Sequence, residues 1–251
     1  MKTKWRLIVH GALQPSWNMA IDSALLHCTV AQPVLRLYRW HKPAITIGYF
    51  QDIEKEVNIE LCRNDDVSII RRITGGGAVF HHEEITYSIV HPLRGPFSKG
   101  IMDSYALIAR PFVEALKTMG VTAQYSPIND IVVAGKKISG SAQTRKEGKL
   151  LQHGTILVAT DTEKMFSYLT IDPKKVKQEG KPVVTLSEIV KDLTKERIYE
   201  QLIQAIINSF KEVFDIEFEE SDITAQEKGA AFDFEQKYFS NEQWNCRRLS
   251  P

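Results

Sequence analysis

The chain has little cysteine and no long apolar run. Its three cysteines (Cys28, Cys62 and Cys246) are widely spaced in 251 residues and form no CxxC pair. This pattern argues against a disulfide framework and indicates free thiols in a reducing compartment. No segment approaches the ~18 apolar residues of a membrane span, and Met1–Leu13 lacks the sustained apolar core of a signal peptide. We therefore expect a cytoplasmic protein with no membrane partner.

An excess of charge of one sign is also missing. Lysine and arginine total 32 against 31 for aspartate and glutamate, which gives a formal net charge of +1. A general nucleic-acid binder usually carries a strongly basic face, so no nucleic-acid partner is expected. An apolar fraction of 43% and a charged fraction of 25% are those of an ordinary globular protein.

Strand-like and helix-like segments are mixed along the chain. Short apolar runs predict strands, for example at Val34–Tyr38 and Ala44–Ile47. Helical spacing predicts a first helix with Ser16 as its N-cap and a long helix at Lys195–Phe214. Residues 172–181 are rich in lysine and predict a loop. Since strands and helices do not alternate strictly, the chain is predicted to be an α+β protein.

The most distinctive stretch is Arg71–His81, which reads RRITGGGAVFH. Three successive glycines permit positive φ and close approach to a ligand, and successive N–H groups in such a turn attract anions. The two arginines add charge suited to phosphate or carboxylate. The stretch matches no P-loop, and the residues after Gly77 favour a strand rather than the helix of a dinucleotide-binding turn. Read alone, it is an anion-binding turn or a plain glycine-rich hairpin.

A second segment, Asn129–Gln143, places Lys137 shortly after Asp130, across a predicted hairpin. Because side chains alternate along a strand, Lys137 is expected on the face opposite Ile138. A lysine there can neutralise a transferring phosphoryl or acyl-phosphate group. The alternative is that Lys136 and Lys137 are solvated charges at a hairpin tip.

A third segment, Gln152–Leu157, carries His153 within a strand, where a histidine is more often a core residue than a ligand. The histidines of the chain lack the spacing of a metal site. No cysteine lies next to the glycine-rich stretch or to the His153 segment, so no thiol nucleophile is indicated.

Together the three segments resemble the lipoate–protein ligase family, part of the biotin/lipoyl ligase and octanoyltransferase superfamily. Arg71–His81 is similar to the family motif RRxSGGGAVFHD, with His82 where that motif has aspartate. Asn129-Asp130 resembles its ND pair, Lys137–Ala142 its KxSGSA strand and His153–Leu157 its HGTLL strand. The resemblance implies mixed, largely antiparallel β-sheets packed with helices. It also implies one biotin/lipoyl ligase-like catalytic domain over residues 1–251, with a C-terminal helical portion at about 161–251.

The resemblance implies a two-step reaction. Lipoate and Mg-ATP give lipoyl-AMP and pyrophosphate, and a carrier lysine then attacks the mixed anhydride. Arg72 and the loop backbone would hold the carboxylate and phosphate, Asn129 and Asp130 would place the nucleotide or its Mg²⁺, and Lys137 would be catalytic. The expected substrate- and ATP-binding residues are Arg72, Gly75, Gly76, Gly77, Ala78, Val79, Phe80, His81, Asn129, Asp130, Lys137, Gly140, Ala142, His153 and Thr155.

The implied cofactors are ATP and Mg²⁺, as substrate and activator, with lipoate as substrate and no tightly bound prosthetic group. The implied partners are lipoyl-carrier domains, of the glycine cleavage H protein or 2-oxoacid dehydrogenase E2 type. Many ligases of the family continue past a Trp-Asn element into an accessory domain. Here Trp244-Asn245 is close to Pro251, so that domain is expected to be a separate polypeptide or dispensable. Lys174, Lys175, Lys177 and Lys181 either meet an acidic carrier or form a solvated loop.

Two alternatives remain open. Octanoyltransferases of the superfamily share stretches like Ser141–Arg145 and Gln152–Gly154, but they work through an acyl-cysteine, and this chain has no cysteine from Arg63 to Asn245. The triple glycine also fits the ligases better. The other alternative is a non-catalytic lipoyl-adenylate-binding protein that keeps the pocket.

Overall fold

The computed structural model describes residues 2–28, 32–170 and 182–248. The predicted lysine-rich loop at 172–181 lies outside them. The strands are β1 (Thr3–Leu13), β2 (Val34–Trp40), β3 (Ala44–Ile47), β4 (Ser68–Arg71), β5 (Val79–His81), β6 (Glu84–Pro92), β7 (Ala123–Ser126), β8 (Asp130–Val133), β9 (Lys136–Lys146), β10 (Lys149–Leu157) and β11 (Ile216–Glu220). The helices are α1 (Pro15–His27), α2 (Ile53–Glu56), α3 (Ile59–Asn64), α4 (Ile101–Thr118), α5 (Thr162–Tyr168), α6 (Leu186–Ile189), α7 (Lys195–Phe214), α8 (Ala225–Phe234) and α9 (Glu242–Arg247), with a 3₁₀ turn at Gly95–Ser98 and a π-helical turn at Glu235–Phe239.

The strands form a large and a small sheet. The large sheet has eight strands in the order β11-β1-β2-β6-β10-β9-β8-β7, and the small sheet has the order β4-β3-β5. In the large sheet β1 pairs in parallel with β11 and β2, and the other neighbours are antiparallel. In the small sheet β3 is parallel to β4 and antiparallel to β5. The prediction of an α+β fold with mixed, largely antiparallel sheets is confirmed.

The large sheet is buried on both faces in its centre. Along β1 and β2 the side chains alternate between two cores, since Leu7 and Leu35 join one and Ile8 and Val34 join the other. The first core is covered by the amphipathic helices α4 and α7, and the second by α1 and α8. A third core packs the small sheet against α2, α3 and α5. In the described residues, no helix combines the length and hydropathy needed to cross a membrane.

The predicted N-cap of the first helix is wrong. The helix begins at Pro15, its N-cap is Gln14, and Ser16 lies inside the first turn. Proline suits the first helical position because its φ is already fixed near the helical value. The Ser16 hydroxyl instead donates a 2.6 Å hydrogen bond to Glu235, which joins α1 to the C-terminal part of the chain.

Arg71, at the end of β4, ties the C-terminal helix α9 to the small sheet. Its buried guanidinium donates to the carbonyl oxygens of Gly48, Gln51 and Trp244 at 2.7–3.2 Å. Its backbone N–H donates to the Asn245 side chain at 2.9 Å, and its carbonyl accepts from the Trp244 indole at 2.9 Å. The chain end around Trp244 is therefore fixed beside the turn that follows β3.

The pairing of β9 with β10 depends on close packing at Gly154. A Cβ atom at this position would lie 2.6 Å from the Tyr87 hydroxyl oxygen and 2.7 Å from the carbonyl oxygen of Gly140. Because one of these atoms belongs to the backbone, the contact cannot be relieved by a rotamer change alone. β9 and β10 must separate to admit a side chain here.

We expect Gly154→Ala to lower the free energy of unfolding by about 1–3 kcal/mol, the usual cost of overpacking. Gly11→Ala in β1 is the matched control, since a Cβ there meets nothing within 4 Å. Denaturant unfolding of both variants measures the difference. Equal stabilities would contradict the tight packing of β9 against β10.

Candidate functional site

A cavity of about 710 Å³ lies between the large sheet and the glycine-rich loop. Both sheets contribute to its walls. Of the residues predicted from the sequence, those that line it are Arg72, Gly76, Gly77, Ala78, Val79, Phe80, His81, Asn129, Lys137, Gly140, Ala142, His153 and Thr155. Gly75 and Asp130 do not line the cavity, but each contacts a residue that does. Three sequence-distant segments therefore meet at one cavity.

The glycine-rich loop connects β4 to β5 and is held close to the end of β3. Of its three glycines, only Gly76 has a positive φ, at 91°. A Cβ atom on Gly48 would lie 2.0 Å from the carbonyl oxygen of Gly76, so only glycine fits at position 48. The N–H of Tyr49 also donates to the carbonyl of Thr74 at 2.8 Å. The loop thus lies directly against the turn after β3.

Arg72 fills the space beneath the loop, and its side chain is buried. Its Nε donates to the Thr74 hydroxyl at 3.1 Å, and its Nη1 donates to the carbonyl and the hydroxyl of Thr46 at 2.8 and 3.1 Å. Its Nη2 donates to the carbonyl oxygens of Gly75 and Gly77 at 2.8 and 2.7 Å. Burial lowers the pKa of Arg72 to about 10, and the guanidinium keeps its charge at neutral pH. Its fixed fork of five N–H donors is used to shape the loop.

The orientation of these carbonyl groups determines the direction of the loop amides. In a trans peptide the C=O and N–H bonds are antiparallel. Because the carbonyls of Gly75 and Gly77 point at Arg72, the N–H groups of Gly76 and Ala78 point away from it. Both residues line the cavity, and their N–H groups have no hydrogen-bond partner among the described residues. Two such amides above a buried cation form a concavity suited to an anion.

A chain of hydrogen bonds runs from Arg72 to the buried carboxylate of Asp22. Thr74 Oγ lies 2.7 Å from His153 Nε2, and His153 Nδ1 lies 3.2 Å from Asp22 Oδ2. Asp22 also accepts hydrogen bonds from Arg36 and Tyr38, each at 2.9 Å. Burial lowers the pKa of His153, although the Asp22 carboxylate opposes this shift. Burial would raise the pKa of Asp22, but its bond to His153 and the Arg36 charge outweigh burial and lower it.

A second chain runs from Arg72 in the opposite direction to Glu84. Thr46 Oγ lies 2.8 Å from His81 Nε2, and His81 Nδ1 lies 2.6 Å from Glu84 Oε1. The ring of Trp40 stacks on His81 with centroids 4.0 Å apart. The order of groups is therefore the same in both chains: arginine, threonine, histidine, carboxylate.

Lys137 lies on β9 at the cavity, with its ammonium 2.8 Å from Asp130 Oδ1 on β8. Ile138 is fully buried in the core, whereas the Lys137 side chain is 42% exposed. The main chain of Lys137 makes two further hydrogen bonds. Its N–H donates to the carbonyl of Pro182 at 3.0 Å, and its carbonyl accepts from the N–H of Val184 at 2.9 Å. A half-exposed cation on a hydrogen-bonded backbone therefore lines the same cavity as the glycine-rich loop.

Gly140 provides the space for this lysine. A Cβ atom at Gly140 would lie 2.5 Å from Lys137 Cε and 2.6 Å from its Nζ. The side chain of Asn129, in turn, donates a hydrogen bond to the carbonyl of Ser141. Asn129 thus fixes the turn that carries Asp130.

The acidic residues around the cavity could bind a magnesium ion only together with the phosphates of a bound substrate. Among the described residues, no three His, Cys, Asp or Glu side chains lie close enough to bind a metal ion. Glu56 lines the cavity, and Asp130 beside the cavity offers a second carboxylate, with which Lys137 already pairs. Mg²⁺ is commonly held by one or two carboxylates together with substrate phosphates.

None of the cysteines lines the cavity. Cys28 and Cys62 are buried, and Cys246 is exposed on α9. Burial raises the pKa of the Cys62 thiol to about 11, so this residue is not an activated nucleophile. Residues 171–181, which the structure does not describe, contain no cysteine in the sequence.

Sequence reasoning missed several residues on which the loop depends. Gly48, Thr46, Thr74 and Asp22 were assigned no role, although Thr74 lies inside the distinctive stretch. Asp22 had a visible signal, since it is a charged residue in a helix whose other predicted core positions are mostly apolar. His82, the departure from the family motif, does not line the cavity and stacks on Phe80 with centroids 5.8 Å apart.

Comparisons with known proteins identify relatives over nearly the whole chain. The chain is 31% identical to the octanoyltransferase LipM of Brevibacillus brevis, over 98% of this chain and 99% of that protein. It is 32% identical to LipM of Clostridioides difficile, with the same coverage.

Solved structures give a second group of relatives. A bi-partite lipoate protein ligase from Thermoplasma acidophilum matches with a TM-score of 0.88 at 28% identity, over 99% of this chain and 98% of that one. A lipoate-protein ligase A bound with ATP matches with a TM-score of 0.87 at 27% identity, over 98% of this chain and 100% of that one. The fold of the chain is that of the lipoate–protein ligase catalytic domain.

The relatives carry two names, octanoyltransferase and lipoate protein ligase, at similar levels of identity. They support an enzyme of the lipoate ligase and octanoyltransferase superfamily, and the curated relatives that match the chain over its full length are named octanoyltransferase LipM. A family model described as the lipoyl protein ligase A/B catalytic domain matches residues 14–207. The chain belongs to this family.

Proposed function

We propose that the chain is an ATP-dependent ligase that activates lipoate, or a similar medium-chain acid, as an acyl-adenylate and transfers the acyl group to a lysine of a lipoyl-carrier domain. The observation that carries this proposal is the composition of the cavity. Its lining includes two lysines (Lys55 and Lys137), a buried arginine and loop amides without a hydrogen-bond partner among the described residues, but no thiol. Adenylation requires positioning and charge neutralisation rather than an enzyme nucleophile.

Five of the predicted residues would have direct roles in this reaction. The amides of Gly76 and Ala78 would hold the carboxylate of the acid and then the phosphate of the adenylate. The Lys137 ammonium would leave Asp130 and bridge the acid and the α-phosphate as negative charge develops between them. Asp130 would then be released to assist the Mg²⁺ that accompanies ATP. Arg72, which lies beneath the glycine-rich loop, would hold the loop in place, and its positive charge would favour the bound anion.

Octanoyl transfer is the second candidate, and the full-length relatives named octanoyltransferase LipM favour it over the ligase. In this reaction an octanoyl thioester would donate its acyl group to an enzyme thiol and then to the carrier lysine. The same cavity would hold the acyl chain. The missing element is a cysteine near the acyl carboxyl group.

The proposed partners are lipoyl-carrier domains, of the glycine cleavage H protein or 2-oxoacid dehydrogenase E2 type. One structural relative is described as a bi-partite ligase studied with its E2 lipoyl domain. A separate accessory polypeptide for this chain is part of the same proposal. Assays of acyl transfer from preformed lipoyl-AMP examine the second half-reaction without depending on that polypeptide.

The first test is Lys137→Ala. We expect it to reduce both lipoate-dependent ATP–pyrophosphate exchange and transfer from lipoyl-AMP by about 10²-fold or more, because it removes the charge that stabilises the transition state. Lys136→Ala is the matched control, since Lys136 is the exposed neighbour of Lys137 on β9. A wild-type chain that modifies a carrier from an octanoyl thioester, without ATP, contradicts the ligase proposal.

The second test is a variant without cysteine, in which Cys28 and Cys62 become alanine and Cys246 becomes serine. We expect the variant to keep wild-type acylation of the carrier from lipoyl-AMP, because no thiol lines the cavity. A melting curve controls for the cost of changing two buried residues. Loss of acylation by a folded variant, or recovery of an acyl-cysteine peptide by mass spectrometry, favours the octanoyltransferase instead.

A further inference from the structure

The donors and acceptors around Arg72 have only one fully satisfied arrangement. Arginine donates hydrogen bonds and accepts none, so the hydroxyl oxygens of Thr74 and Thr46 must accept from it. The hydrogen of each hydroxyl is then free to donate to the Nε2 atom of a histidine. Because these hydroxyl hydrogens have no other acceptor among the described residues, the satisfied arrangement leaves each Nε2 atom unprotonated.

The tautomer of each histidine follows from this arrangement. With Nε2 acting as an acceptor, the ring proton of His153 and of His81 lies on Nδ1. From there it is donated to Asp22 Oδ2 at 3.2 Å and to Glu84 Oε1 at 2.6 Å. Every hydrogen bond in both chains thus points outward, from the guanidinium to a carboxylate.

Both carboxylates are held where they receive this donation. Asp22 is 1% exposed and accepts from Arg36, Tyr38 and Ser88 as well as from His153. Glu84 is also 1% exposed, and its Oε1 accepts from Thr86 at 2.7 Å in addition to His81. Asp22 would lose four buried hydrogen bonds by turning away, and Glu84 would lose two.

We propose that Thr74 with His153, and Thr46 with His81, form two positioning relays. The relays keep all the N–H groups of Arg72 directed at their four partners, Thr46, Thr74, Gly75 and Gly77. The amides of Gly76 and Ala78 are thereby kept turned toward an anionic substrate group in the cavity. The four relay residues are positioning residues, and they act through Arg72. This inference rests on the proposed function, because it assumes that the anion is the carboxylate or phosphate of the acyl substrate.

The relays predict a specific defect when one hydroxyl is removed. Valine has the shape of threonine but cannot connect Arg72 to a histidine. In Thr74→Val the Arg72 Nε and His153 Nε2 both lose their partner, and Arg72 gains freedom to leave the carbonyls of Gly75 and Gly77. The peptide groups of the loop then lose their fixed orientation. Anion binding is weakened, whereas contacts to an apolar chain are not affected.

A pair of ligands separates these effects. Octanoate presents an anionic carboxylate, and octanamide presents a neutral group of nearly the same size on the same chain. We expect wild type to bind octanoate more tightly than octanamide. Thr74→Val and Thr46→Val should each raise the dissociation constant of octanoate by about tenfold or more, the usual effect of a lost hydrogen bond to a charged group, with little change for octanamide. Isothermal titration calorimetry on the full chain measures both constants.

Three further variants complete the design. Thr74→Ser and Thr46→Ser keep the hydroxyl and should restore the preference for octanoate. Thr160→Val is the matched control, since Thr160 is buried, lies outside the cavity lining and makes only a 3.4 Å hydrogen bond to a carbonyl. A melting curve shows whether each variant is folded.

The outcomes distinguish failure of the relays from failure of the proposed function. Equal losses for octanoate and octanamide, or no loss for either in folded valine variants, overturn the relays. A wild type that binds octanoate but transfers no acyl group from preformed lipoyl-AMP to a carrier lysine refutes the adenylate step, while the relays are still tested by the binding constants. A wild type that shows no preference for octanoate over octanamide overturns the anion site, and the relays with it.

Discussion

The buried guanidinium of Arg72 is the constraint on which the site depends. Removing an isolated charge from water costs several kcal/mol unless hydrogen bonds and opposite charges compensate. No carboxylate contacts Arg72 directly among the described residues, and its donors go to two threonines and two glycine carbonyls. The opposite charges, Asp22 and Glu84, are reached through histidines. Because these carboxylates do not contact Arg72 directly, they do not fully neutralise its charge. The side of the guanidinium that faces the loop therefore still attracts a further anion.

The two consecutive arginines, Arg71 and Arg72, stabilise different parts of the region around the cavity. Arg72 faces the glycine-rich loop, while Arg71, on the other side of the strand, holds the turn after β3 and the C-terminal helix. Gly48 lies between them, packed so closely on Gly76 that no side chain fits. The loop, the turn and the chain end are therefore one packed unit. A change at Trp244 can reach Gly76 through a small number of direct contacts.

The sequence predicted the parts of the site that are contiguous along the chain. The glycine-rich loop and Lys137 were found because their residue types are unusual within a few positions, and the mixed sheets followed from apolar patterning and from family resemblance. The relays were not predictable in this way. Asp22 and His153 are 131 residues apart, and Thr74 and His153 are 79 apart, so only the fold brings them together. Ser16 is not the N-cap because the helix already begins at Pro15. Composition alone does not decide which of these two neighbouring residues starts the helix.

The choice between the two activities depends on the nucleophile rather than on overall similarity. Octanoyltransferases and lipoate ligases match this chain over almost its full length at 27–32% identity, and one fold commonly supports several reactions. Thioester exchange requires a thiolate within bonding reach of the acyl carbon. An adenylate requires a cation between two negative groups. The cavity offers Lys137 opposite two amides turned outward by Arg72, and each of the three thiols lies outside its lining. The composition of this cavity supports the proposed anhydride route, whereas the names of the curated full-length relatives support octanoyl transfer.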